Sequence, residues 1–73
     1  MVTLEKQFSA TVNGSLMELP SGITIAKLLQ LLEIDSTLAA VEQNREIVPR
    51  KDFADRKISA GDKIEIVHFV GGG

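Results

Sequence analysis

Apolar and polar residues alternate along Phe8-Ser9-Ala10-Thr11-Val12 and again along Ser15-Leu16-Met17-Glu18-Leu19. Between the two runs stands Asn13-Gly14. Asn-Gly supplies the two positive φ values of a type I′ turn, the tightest hairpin connection. A two-residue loop pairs Val12 with Ser15, Ala10 with Met17 and Phe8 with Leu19. The other face then carries Ser9, Thr11, Leu16 and Glu18. One face is apolar and the other mostly polar, so turn and pattern agree on one register. Residues 1–6 either extend the first strand or form a loose leader.

The period then changes. Pro20-Ser21-Gly22 ends the second strand. Thr24 reads as an N-cap, and Ile25, Leu28, Leu29 and Leu32 form one stripe of a helix reaching Glu33. Leu31 falls at the edge of that stripe and is expected to be partly exposed. Ile34-Asp35-Ser36-Thr37 is an exit loop. Leu38 to Gln43 predicts a weaker strand, because alanine is a poor strand former. Asn44-Arg45 predicts a turn, and Glu46-Ile47-Val48 a short strand stopped by Pro49. Residues 50–57 form a charged surface connection with about one helical turn and one core residue, Phe53. Ser59-Ala60-Gly61-Asp62 predicts a turn. Lys63 to Val70 has the strongest strand composition of the chain.

The order is hairpin, helix, strand, short strand, strand. It predicts an α+β domain in which a mixed sheet of four to five strands packs on one helix. If the last strand lies beside the first in parallel, the sheet is a β-grasp; local patterns leave that pairing open. Residues 1–73 form one domain, with a flexible tail over 70–73. No repeat or linker interrupts it.

Composition narrows the chemistry. The chain has 73 residues, no Cys, no Tyr, no Trp and one His. Disulfides, thiolate catalysis and cysteine zinc sites are excluded. His68 has no nucleophile or metal-ligand partner in the sequence, so it reads as a structural residue near the sheet margin. A net charge of −2 gives no footprint for nucleic acid or an anionic membrane. No apolar run approaches the roughly 20 residues a membrane span requires. With no secretory leader either, the expected compartment is the cytoplasm.

Arg45, Arg50, Lys51, Arg56 and Lys57 concentrate positive charge, but residues 36–73 hold acidic and basic groups in equal number. They read as a solvated mixed surface, with a salt-tuned contact to an acidic partner as the minority reading. Alternation along the last strand sets Ile64 and Ile66 on one face and Val67 and Phe69 on the other. The latter either lie under a loop or form an open apolar patch that marks a partner surface. Leu16 would extend that patch. Arg50 joins Val67, Phe69 and Leu16 as partner-binding candidates.

Half of the six glycines stand at the end, Gly71-Gly72-Gly73. Terminal glycines fray, or they serve. Val70 to Gly73 reach at most about 14 Å, far enough to carry the terminal carboxylate into a narrow channel of another protein. Lacking Cβ atoms, they leave that carboxylate unhindered for activation as an acyl-adenylate. That chemistry requires Gly73 to be the last residue.

Asn44-Arg45-Glu46-Ile47-Val48-Pro49-Arg50, the turn Gly61-Asp62-Lys63-Ile64, and the strand with its Gly-Gly end together resemble the ThiS family. These are ubiquitin-like sulfur carriers of thiamin biosynthesis. The hairpin and helix fit the same family, so the resemblance covers about residues 8–73. It implies a β-grasp fold and a protein cosubstrate rather than an enzyme. A ThiF-like enzyme would adenylate the Gly73 carboxylate, sulfur from a persulfide donor would make a thiocarboxylate, and thiazole synthase, ThiG, would take the sulfur. Gly71 and Gly72 would permit insertion of the tail. The chain itself would bind no cofactor; ATP and Mg²⁺ would belong to the activating enzyme. Two features depart from the family pattern, the third glycine, Gly71, and the leader before residue 7. MoaD, the molybdopterin carrier, shares the fold and Gly-Gly end, but its tail usually carries prolines that Val67-His68-Phe69-Val70 lacks. Other readings are a carrier in another sulfur pathway, a protein-conjugating modifier, or a non-covalent β-grasp interaction module.

Overall fold

The computed structural model describes residues 6–69. Five strands form one sheet: β1 (Gln7–Val12), β2 (Ser15–Pro20), β3 (Ala39–Gln43), β4 (Glu46–Val48) and β5 (Lys63–His68). Their spatial order is β2-β1-β5-β3-β4. The one α-helix, α1 (Ile25–Leu31), covers one sheet face.

The β1–β2 hairpin has the expected register, with Val12 opposite Ser15, Ala10 opposite Met17 and Phe8 opposite Leu19. Asn13 and Gly14 adopt φ of 49° and 83°, the two positive values a type I′ turn needs. Lys6 continues the ladder by one bond, its carbonyl accepting from Ser21 N at 2.8 Å. The remainder of the leader lies outside the described residues, as do Val70 and the three tail glycines.

Helix α1 starts where the sequence indicates, with Thr24 Oγ1 accepting from Lys27 N at 3.2 Å. It ends two residues short of the expected Glu33. Ile34 N donates to Leu29 O at 2.9 Å and Glu33 N to Gln30 O at 3.0 Å, while Glu33 turns left-handed at φ 58°. This is a Schellman closure, and Ile34 packs on the core as that motif requires. Ile25, Leu28 and Leu29 are buried, whereas Leu31 is 57% exposed. Leu38 belongs to a single 3₁₀ turn, Ser36–Leu38, capped by the Asp35 carboxylate, so β3 begins one residue later than the sequence pattern suggests.

The core joins α1 to the inward faces of the sheet: Ala10 and Val12 of β1, Leu19 of β2, Val41 of β3, Ile64 and Ile66 of β5. Phe53 and Ile58, from the long connection between β4 and β5, close one flank. Fully burying each large aliphatic contributes roughly 1.5–3 kcal/mol, the main term opposing chain entropy in so small a domain.

The pairing that local patterns leave open is parallel. Thr11 lies beside Lys63 and Val12 beside Ile64, so the first and last strands are neighbours at the centre of the sheet. β3 then pairs antiparallel with both β5 and β4. A polar knot fixes the far side. Asp62 Oδ2 accepts from Ser59 N and Gln43 Nε2, both at 2.8 Å, and Asp62 Oδ1 from Asn44 Nδ2 at 3.0 Å. Asn44 and Arg45 both have positive φ, so the β3–β4 connection is a second tight primed turn.

Candidate functional site

Strand β5 builds the site. Its alternation sends Ile64 and Ile66 into the core and leaves Lys63, Glu65 and Val67 on the face away from α1. Phe69 follows on that same outer face. Val67 is 57% and Phe69 52% exposed, so no described loop covers them and the patch is open.

The surroundings of β5 change along its length. Its first half is central, flanked by β1 and β3. The hairpin turn supplies the last links on the β1 side: Asn13 N donates to Ile64 O at 2.8 Å, and Ile66 N donates to Asn13 Oδ1 at 2.7 Å. Beyond Ile66, the described contacts come from β3. Ala40 pairs with Val67, Ala39 with His68, and Phe69 N donates to Leu38 O at 2.7 Å. The strand thus passes from a two-sided to a one-sided ladder just before residue 70. The last described residue, Phe69, stands in an apolar patch with Val67.

The remaining candidates are placed as follows. Leu16 is 75% exposed on the same outer face. It lies beside Thr11, and Thr11 beside Lys63. Lys63 is four residues before Val67, about 13 Å along the strand, so Leu16 is not contiguous with the patch. Ile47, 76% exposed on β4, is nearer; it pairs with Glu42, one position from Ala40 on the same face. Sequence reasoning missed Ile47 and Ala40 as patch members. The alternation within Glu46-Ile47-Val48 carried the signal for Ile47, but nothing local says which strand β4 joins.

Arg50 is tied to the chain's own carbonyls. Its Nε donates to Ser36 O at 3.1 Å and its Nη2 to Ala39 O at 3.5 Å, so it braces the start of β3 from the edge that β4 leaves uncovered. His68 is exposed at the sheet margin, as its position in the alternation predicts. The Thr37 hydroxyl is the largest influence on the Asp35 carboxylate, and Arg50 adds a weaker electrostatic effect in the same direction. That hydroxyl and its backbone N–H both donate to Asp35 Oδ1, at 2.7 and 2.9 Å, and hold the carboxyl below its ordinary range. Gly71, Gly72 and Gly73 lie outside the described residues.

A solvent-open depression of ≈ 590 Å³ lies at the opposite end of the fold, lined by Pro20, Gly22, Thr24, Lys27 and Leu31. Among the described residues, no three of His, Cys, Asp or Glu come together to hold a metal ion. No helix there is long and apolar enough to cross a membrane. What the described residues present is the end of β5 and an apolar face beside it.

Comparison with known proteins agrees with that geometry. The model of the ThiS family matches residues 10–73. The thiazole synthase of Paramagnetospirillum magneticum is 44% identical over 62 residues, 85% of this chain; the chain spans only 19% of that protein's length. The sulfur carrier protein ThiS of Bacillus subtilis is 40% identical over 50 residues, 68% of this chain and 76% of that one. The crystal structure of the thiamine biosynthesis protein ThiS from Geobacter metallireducens superposes with a TM-score of 0.75 at 29% identity. It covers 90% of this chain and all of that one, and the shared fold is the β-grasp. The match runs through the hairpin, the helix, β5 and the terminal glycines together: the chain belongs to the ThiS family.

Proposed function

We propose that this chain is a sulfur carrier of thiamin biosynthesis whose reactive group is the carboxylate of Gly73. The observation that carries the reading is the family match, which covers residues 10–73 and so includes the final glycine. The composition is in keeping with it: with no Cys and one His, the side chains offer little covalent chemistry of their own.

A ThiF-like enzyme, holding ATP and Mg²⁺ in its own site, transfers AMP to the Gly73 carboxylate with release of pyrophosphate. The terminal sulfur of a donor's cysteine persulfide displaces AMP, giving an acyl disulfide. A second thiol attacks the donor's cysteine sulfur and releases the thiocarboxylate. Because this chain has no cysteine, the donor cysteine and the attacking thiol both belong to other molecules. Thiazole synthase then takes the sulfur from the thiocarboxylate. The acceptor assignment is supported by the P. magneticum thiazole synthase, in which a segment like this chain occupies 19% of the length. Val67 and Phe69 dock the body while Gly71 and Gly72 enter the partner's channel.

The test is an intact-mass measurement after incubation with the cognate activating enzyme, ATP and a persulfide source. The expected gain is about 16 Da, one oxygen exchanged for one sulfur. The same spectrum checks that Gly73 is the terminal residue. An unchanged mass, with partner binding that survives deletion of Gly72 and Gly73, overturns the reading in favour of a non-covalent module.

A further inference from the structure

The outer sheet face holds a second feature that the carrier chemistry does not explain. Register places Glu42 of β3 directly opposite Glu65 of β5. Both are exposed. Directly opposed residues in an antiparallel pair have Cβ atoms about 4.5–5.5 Å apart, and like charges so placed lower the stability of the sheet. Ion pairs among the described residues are Lys51 with Asp52 and Arg56 with Asp52, and neither involves these glutamates. Lys63 shares the face two residues before Glu65, and Glu18 stands on it at β2.

The two carboxylates occupy a defined place in the patch. Ile47, Glu42 and Glu65 form one cross-strand row, and Ala40 with Val67 forms the next row toward Phe69. Ile47, Val67 and Phe69 are the exposed apolar side chains here. A partner that covers both Ile47 and Val67 therefore crosses β3 at Glu42 or Ala40 and borders Glu65, the next outward residue to Val67 on β5. Burying two adjacent carboxylates without a cation carries a large desolvation penalty. A guanidinium can meet both at once, because its fork presents several donors in one plane.

We propose that Glu42 and Glu65 are the charge-recognition element of this docking face, and that they receive an arginine or lysine of thiazole synthase while its apolar side chains cover Ile47, Val67 and Phe69. This rests on the sulfur-carrier reading. Thiazole synthase is the occupant because a sequence like this one is part of a thiazole synthase chain in P. magneticum. The pair makes the free chain less stable and the complex more specific.

The experiment measures the dissociation constant of the full chain for purified cognate thiazole synthase across a salt series. Wild type is compared with Glu42→Gln, Glu65→Gln, the double variant, and Glu18→Gln as a control on the same face. The expected double variant binds about tenfold more weakly with a flatter salt dependence. It also resists urea as well as or better than wild type, a combination that a purely structural role does not produce. Glu18→Gln binds as wild type does. A double variant that binds as tightly with the same salt slope, or that loses stability, overturns the proposal. So does weakened binding confined to the activating enzyme. If any of these occurs while wild type still gains and donates sulfur, the carrier reading stands alone. If wild type neither gains sulfur nor binds thiazole synthase, both readings fall.

Discussion

Asn13 does two jobs that separate substitutions can pull apart. It sits at the first turn position with φ of 49°. Its Oδ1 also accepts the Ile66 N–H at 2.7 Å, tying the hairpin to the last strand across 53 residues of sequence. Asn13→Gly keeps the positive φ and removes the acceptor. The part-buried Ile66 N–H then loses its partner, a cost of about 1–3 kcal/mol. Asn13→Ala adds the left-handed penalty of an ordinary residue, about 1–2 kcal/mol more. Asn13→Asp keeps both an acceptor and tolerance of that conformation, and stays within about 0.5 kcal/mol of wild type. A chain of 73 residues has a total stability of about 4–11 kcal/mol at the usual 0.05–0.15 per residue, so the alanine variant loses a large share of it. Urea unfolding followed by far-UV circular dichroism is the assay, since the chain has no Trp or Tyr for fluorescence. Amide exchange at Ile66 reads the lost bond directly. The expected order of stability is wild type and Asp, then Gly, then Ala. A glycine variant as stable as wild type with unchanged Ile66 exchange refutes the tie to β5. An alanine variant equal to glycine refutes the strain argument.

Leu28→Ala, at a position with 0% exposure, should cost about 2–5 kcal/mol in urea unfolding, whereas Leu31→Ala, at 57% exposure, should stay within about 0.5. Phe69→Ser should leave the urea midpoint almost unchanged, because half the ring already meets water, yet weaken binding to thiazole synthase in the same titration used for the glutamates. Stability should be flat down to about pH 4 and fall below it. Burial pushes the Asp62 carboxyl up, but hydrogen bonds from Asn44, Ser59 and Gln43 outweigh it and hold the group below its unfolded value of 3.8. Asp35 is held down by Thr37 in the same sense. Folded values below unfolded ones mean that this stability is whole above the unfolded pKa and drains as pH falls through the folded one. Asp62→Asn should therefore soften the acid limb of a urea-midpoint profile against pH, besides lowering stability at neutral pH.

Local chemistry determined a good deal of this protein. Asn13-Gly14 between two alternating runs fixed a hairpin and its register, because a one-residue slip would turn every core side chain to water. Thr24 began the helix for the same kind of reason: its hydroxyl satisfies an N–H that the helix cannot. The helix end was less legible, since Glu33 in a left-handed Schellman position is not the glycine that usually marks one. The tail glycines and the outward positions of Val67 and Phe69 could be read directly from the chain.

Contacts between distant segments could not be read that way. The parallel pairing of β1 with β5 depends on closing the whole chain between them, and no periodicity within either strand encodes its neighbour. Asn13 as a bridge to Ile66 follows from that pairing, and so does the change from a two-sided to a one-sided ladder within the described part of β5. The opposition of Glu42 and Glu65 depends on the register of two strands joined by the long β4 connection. Each glutamate by itself is an ordinary solvated charge. Only when the sheet is assembled do the two become neighbours within an apolar patch, because alternation decides the face while tertiary packing decides who shares it.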